Sequence, residues 1–221
     1  MKLAINALLK YVIGFIFVAL LLFLPAGTFA YFNGWLFIGL LFIPMLVLGA
    51  VLLLKSPDLL KKRLNAKEKQ GAQKGVVAVS ALVFLAGFVL AGLDFRFGWT
   101  DVPSVIVVIA SAILLVSYGL YGVVMKQNAY LSRTVEVQEG QKVVDTGLYG
   151  IVRHPMYTAT IFLFLSIPLV LGSWISLAVV SFYPVVIVIR IFNEEKVLAK
   201  ELAGYEAYMK KVKYRLIPFI W

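Results

Sequence analysis

The feature that most constrains this chain is the spacing of its apolar tracts. A bilayer-crossing helix needs about 20 mostly apolar residues. Tyr11–Phe29, Trp35–Leu54, Val76–Leu93 and Val102–Met125 each supply one. The last tract, Thr158–Phe192, is too long for one crossing and too short for two full ones. It contains Pro168 and then Leu171-Gly172-Ser173, a natural break. The expectation is a helical hairpin, with a short arm from about Met156 to Leu171 and a longer arm from about Trp174 to Phe192. Both ends of the hairpin then face the same side.

Composition agrees. Hydrophobic residues make up 62% of the 221 positions and charged residues 14%, with a mean hydropathy of +0.95. Soluble domains are about one quarter charged. A cytosolic globular enzyme, a disordered chain and a nucleic-acid-binding domain are therefore excluded as first readings, and a polytopic all-α membrane protein with the bilayer as its partner is expected. There are no cysteines and a single histidine, His154. Thiolate chemistry is thereby excluded, and so is a multi-histidine metal site within one chain.

Charge orients the spans. If the chain alternates from its N-terminus, every Lys and Arg but Arg96 falls on one side. Basic residues mark cytoplasmic loops, so both termini and the loops Lys55–Gly75 and Lys126–His154 are expected in the cytoplasm, with Asp94–Asp101 outside. Lys2, Lys10 and Ala26–Ala30 have some of the look of a signal peptide. The apolar run between them is of spanning length, and a second span follows closely, so a retained span is expected. The GxxxG at Gly71–Gly75 reads as part of a polar loop and carries no dimerisation signal.

The two polar loops differ in kind. In the first, Leu59, Leu60 and Leu64 share one helical face, with Lys61, Lys62, Arg63 and Lys67 around them. This reads equally as a short interfacial helix among anionic headgroups or as a solvated positive-inside loop, with no catalytic part expected. The second loop is polar, mixed in charge, and supplied with turns at Glu139-Gly140 and Asp145-Thr146-Gly147. Its length and composition point to an ordered, functional segment.

That loop ends in Arg153-His154-Pro155-Met156-Tyr157, where the chain re-enters the membrane. Pro155 suits a first helical turn, which puts His154 at the cap. His154 and Tyr157 share a face. A helix N-terminus beside Arg153 is a ready anion site. The alternative is that these residues snorkel at a membrane boundary. Downstream, Arg190 and Glu194 are four apart at the exit of the long arm, followed by Glu195. They are functional candidates or an ordinary i,i+4 ion pair. The hairpin places them near Arg153, His154 and Tyr157. The tail from Lys196 to Tyr214 is amphipathic, with Leu198, Leu202, Tyr205, Tyr208 and Met209 on one stripe. It is expected along the membrane surface or over the loop.

Gly147-Leu148-Tyr149, the RHPMY block, Arg190…Glu194-Glu195 and Gly204-Tyr205…Tyr208 together resemble the isoprenylcysteine carboxyl methyltransferase family, within the wider group of phospholipid-methyltransferase-like membrane enzymes. The resemblance covers roughly Val135–Trp221. It implies S-adenosylmethionine as the methyl donor in a cytoplasm-facing pocket, and a lipidic or prenylated acceptor, for example an isoprenylcysteine carboxylate. It divides the chain into N-terminal spans, 1–125, and a catalytic region, 126–221. By position it implies donor binding by Gln141, Lys142, Val143, Val144, Tyr149, His154, Pro155, Met156, Tyr157 and Glu194, and the anion site at the helix N-terminus adds Arg153 for the donor's carboxylate. Arg190 is placed toward the acceptor, and Glu194 or Glu195 is the base if the acceptor is an amine. Met156 departs from the small polar residue common in eukaryotic members. The alternatives are an NADPH-dependent membrane sterol or steroid reductase, against which the Arg190…Glu194-Glu195 element argues, and a non-enzymatic membrane protein.

Overall fold

The computed structural model describes residues 2–65, 71–132 and 134–221. Lys67, expected on the first-loop helix, lies outside them. The four predicted spans are helices α1 (Lys2–Ala26), α2 (Phe32–Lys55), α4 (Gly71–Phe97) and α5 (Ser104–Gln127), with a short α3 (Pro57–Leu64) between α2 and α4. The hairpin follows as α6 (Pro155–Val170), α7 (Trp174–Val180) and α8 (Tyr183–Glu201), and α9 (Tyr205–Lys211) closes the chain. By length and composition, α1, α2, α4, α5 and the α7–α8 arm can each cross a membrane, while α6 is a shorter apolar helix. The chain is a multi-pass membrane protein.

The helices overrun the apolar tracts. α1 starts at Lys2, about two and a half turns before Tyr11, and Lys10 donates to the Leu64 carbonyl at 2.7 Å. Gly71–Gly75, expected in a loop, forms the first turn of α4. There Gln73 is buried and donates to the Arg190 carbonyl of α8 at 3.2 Å, which ties the extra turn down. α8 runs past Phe192 to Glu201 because Leu198 still has a packing surface in the tail.

Among lipid tails there is no hydrophobic drive to pair apolar helices, so close fit holds them together. α6 lies along α5, α1 along α4, and α4 against α7 and α8. Gly92 makes the α1–α4 crossing possible, since a Cβ there would sit 2.5 Å from the Leu22 carbonyl oxygen. The core gathers Leu22, Phe37, Leu114, Val170 and Leu171, all nearly inaccessible.

The hairpin turn falls at Leu171–Ser173, where it was expected. Gly172 takes φ +79°, a left-handed conformation that favours glycine. Ser173 caps α7 by accepting from the Ser176 amide at 3.0 Å, and its own hydroxyl donates to the buried Asp94. Asp94 also accepts from the Thr100 amide and hydroxyl. Tyr31 donates to the Leu171 carbonyl, and the Trp174 indole to the Asp101 carbonyl at 3.0 Å. These bonds fix the hairpin tip at the end that carries the Asp94–Asp101 segment and the α1–α2 turn. The open ends of the hairpin therefore sit at the opposite end. The long arm is interrupted at Ser181-Phe182, just before Pro184, which has no amide to donate.

Candidate active site

At the open end of the hairpin, His154 is the N-cap residue of α6 and Pro155 its first residue, as the sequence predicts. The His154 ring stacks on Tyr157, with centroids 5.6 Å apart. Tyr157 is buried, and its hydroxyl links two residues of α8. It donates to Glu194 and accepts from Arg190 Nε at 2.8 Å. Arg190 and Glu194 are one helical turn apart. The phenol of the short arm thus bridges the pair on the long arm.

The neighbouring carboxylate has a different environment. One residue on, a helix turns by about 100°, so Glu195 points away from Glu194, and it is buried. Its Oε1 accepts from Arg153 Nε at 2.7 Å and lies 3.1 Å from His154 Nε2, while its Oε2 accepts from Arg215 Nε at 2.9 Å. Arg153 also donates to the carbonyls of Val212 and Lys213, at 2.7 and 3.0 Å. The amides of Arg153 and His154 donate to the carbonyls of Tyr214 and Arg215, each at 2.9 Å. The tail therefore lies across the start of α6. Arg153, expected as half of an open anion site, is engaged by Glu195 and the tail. Glu195, expected as a candidate base, has both oxygens committed to cations.

The second loop is ordered without any strand among the described residues. Gln138 spans it, donating from its side chain to the Tyr130 carbonyl at 2.6 Å and from its amide to Gln141 Oε1 at 2.9 Å. Tyr130 donates to the Gly140 carbonyl at 3.1 Å. Residues 147–150 form one 3-10 turn, and the Tyr149 carbonyl accepts from Tyr208 of α9 at 2.7 Å. Burial pushes the Tyr149 phenol up to about 12, and raises Tyr205 and Tyr208 further. All three stay neutral at physiological pH. The tail caps the loop, as one of its two expectations had it. Leu202, Tyr205, Tyr208 and Val212 bury themselves against Val137 and Val143. On the outside, Lys211 lies 2.7 Å from Asp145 and holds that carboxyl below the usual range.

Between loop, α6 and α8 lies an open cleft, part of it continuous with solvent. Arg190, Glu194 and Leu198 line it from α8. Tyr149, Arg153, His154, Met156 and Tyr157 line it from the 3-10 turn and the start of α6. Gln141 is the one member of the 141–144 stretch on its wall. Lys142, Val143, Val144, Pro155 and Glu195 do not line it. The rest of the wall is Asn128, Tyr130, Leu131, Ser132, Thr134, Val135 and Glu136, which sequence reasoning missed. The mixed polarity of that loop was the only signal for it. α3 takes part as well. Arg63 donates to the Ser132 carbonyl at 3.3 Å, lies 3.8 Å from the Met156 sulfur, and sits over the Tyr121 ring at 5.3 Å. The first loop thus braces the rim of the cleft.

The cleft offers Glu136 and Glu194 as anionic groups, Asn128, Ser132 and Thr134 as neutral polar partners, and Tyr149 and Tyr157 as aromatic faces. No group of three or more acidic, His or Cys residues that could hold a metal ion occurs among the described residues.

Comparison with known proteins meets this region. Residues 104–204 match the family model described as phospholipid methyltransferase, the group that includes the isoprenylcysteine-type membrane enzymes. The match runs from the start of α5 through the loop and the hairpin to the turn before α9. It bears out the resemblance and supports a membrane methyltransferase. The chain is also similar to the Delta(14)-sterol reductase of Mus musculus, at 29% identity over 91 residues. That alignment covers 40% of this chain and 22% of the reductase, so the chain spans under a quarter of that relative's length.

Proposed function

We propose, from the phospholipid-methyltransferase match over residues 104–204, that this membrane protein transfers a methyl group from S-adenosylmethionine to a lipidic or prenylated acceptor. The observation that carries the reading is the Tyr157 hydroxyl held between Arg190 and Glu194 on the wall of a polar cleft at the membrane boundary. S-adenosylmethionine, when bound, supplies a methyl group already activated on a sulfonium.

The residues of the cleft fit such a donor. Glu194 and Glu136 suit its ammonium and ribose hydroxyls, and tyrosine faces tolerate a sulfonium through cation–π attraction. Methyl transfer asks the protein for alignment and exclusion of water more than for proton transfer. Arg190 can orient an acceptor carboxylate with a two-pronged hydrogen bond, and a carboxylate needs no base. With an amine acceptor, Glu194 is the group placed to take the proton, since Glu195 is neutralised by the guanidinium groups of Arg153 and Arg215. The acceptor reaches the cleft from the bilayer, between the arms of the hairpin. A tail-less, water-soluble acceptor that turned over equally well would remove that route.

Among the described residues the cleft end carries all the basic side chains but Arg96, so by the charge rule it faces the cytoplasm, with both termini. The chain has no cysteine, so a cysteine placed at exposed Glu139 reports sidedness directly. Labelling from the outer face would reverse the assignment.

The likeness to a sterol reductase supports a second reading, reduction with NADPH. Calorimetry on the detergent-solubilised protein decides between the two. S-adenosylmethionine and S-adenosylhomocysteine are expected to bind and NADPH not to. Selective binding of NADPH would replace the first reading with the second.

A further inference from the structure

We propose that the C-terminal segment Val212–Trp221 is a strap that sets the direction of Glu194 and Tyr157, and that Arg215 is its positioning residue. The inference rests on the reading of the cleft as a donor site. The strap is tied to both arms of the hairpin at once. At the start of α6 it takes the amides of Arg153 and His154, and its Leu216 carbonyl accepts from the Thr158 hydroxyl at 2.7 Å. On α8, Arg215 reaches Glu195 at 2.9 Å, and its guanidinium lies over the rings of Phe192 and Trp221, at 5.0 and 5.1 Å. The strap's own end is folded back, with the Leu216 amide donating to the Trp221 carbonyl at 2.9 Å.

This tie lies directly behind the cleft. Leu216 is buried in the cluster that holds Tyr157, Ile187 and Ile191. Glu195 shares a helical turn with Glu194, so the rotation of α8 that satisfies Arg153, His154 and Arg215 also aims Glu194 at Tyr157. Arg215 does not itself line the cleft. It acts through Glu195, as an outer group that holds an inner one.

Arg215 is the member of the cluster that can be removed without unfolding it. Its side chain is 26% exposed, and Glu195 keeps Arg153 and His154 when Arg215 is lost. The test compares wild type, Arg215→Gln and Lys210→Gln, the last removing an equal charge from an exposed site on α9. Two quantities are read at fixed pH: affinity for S-adenosylhomocysteine and the imidazole ¹⁵N shifts of His154, the chain's single histidine. Arg215→Gln is expected to stay folded, to bind about tenfold more weakly, and to move the His154 resonances. Lys210→Gln is expected to do neither. Unchanged affinity in Arg215→Gln overturns the proposal, as does weaker binding with an unmoved His154, or an equal loss in Lys210→Gln. If wild type binds no S-adenosylhomocysteine but the His154 shifts still move in Arg215→Gln, the donor reading falls while the coupling of strap to hairpin stands.

Discussion

Glu195→Ala is expected to destabilise the protein more than any other single change at the candidate site. The side chains of Arg153 and Glu195 are only 5% and 8% exposed. Removing the carboxylate leaves the Arg153 guanidinium buried beside His154 with no anion to balance it. The Val212 and Lys213 carbonyls keep two of its hydrogen bonds but supply no charge. Breaking a buried ion pair from one side costs about 3–5 kcal/mol. For a chain of this size that corresponds to a fall of about 10 °C in Tm, read by thermal denaturation in detergent. Glu195→Gln should fall between alanine and wild type, because the amide oxygen still accepts one bond. A Tm within 2 °C or so of wild type for the alanine variant would mean that the cluster stores little stability.

Glu194→Gln is expected to act in the opposite way, on binding and not on stability. Glu194 is half-buried, and the substitution keeps its shape and an oxygen for the Tyr157 hydroxyl. What it removes is a negative charge on the cleft wall, next to Arg190. A hydrogen bond between charged partners is worth about 1.5–3 kcal/mol, so affinity for S-adenosylmethionine should drop roughly 10- to 100-fold with Tm little changed. Titration calorimetry on wild type and variant gives both affinities. Equal affinity would take Glu194 out of the donor site. The two neighbouring carboxylates thus separate by experiment: one change is read in Tm, the other in ligand affinity.

That division between Glu194 and Glu195 was not legible in the chain. The two residues are adjacent, of one type, and follow the same apolar helix. Which one faces the cleft depends on where Arg153, His154 and Arg215 arrive, and those lie 42, 41 and 20 positions away. The same holds for Arg153. Beside a helix N-terminus it reads as part of an anion site, and only the folded-back tail shows its charge already met. The wall residues Asn128, Ser132, Thr134 and Glu136 and the brace from Arg63 were missed because side-chain-to-backbone contacts between loops leave no periodic trace.

Other features were legible because they rest on local physics. Spans appear as apolar runs because a bilayer demands them, and the hairpin turn appears because Gly172, in a left-handed conformation, ends a helix that runs through Pro168 to Val170. His154 could be placed at the cap because proline suits a first turn. The nearness of Tyr157 to Arg190 and Glu194 followed from the fold-back. The amino-acid order therefore determined the helices, the turn and which polar clusters share an end of the molecule, since each depends on neighbours within a few residues or on the bilayer itself. Only the tertiary structure decided which charged groups face the cleft and which neutralise one another behind it, because a buried charge takes its role from partners that folding brings to it from distant parts of the chain.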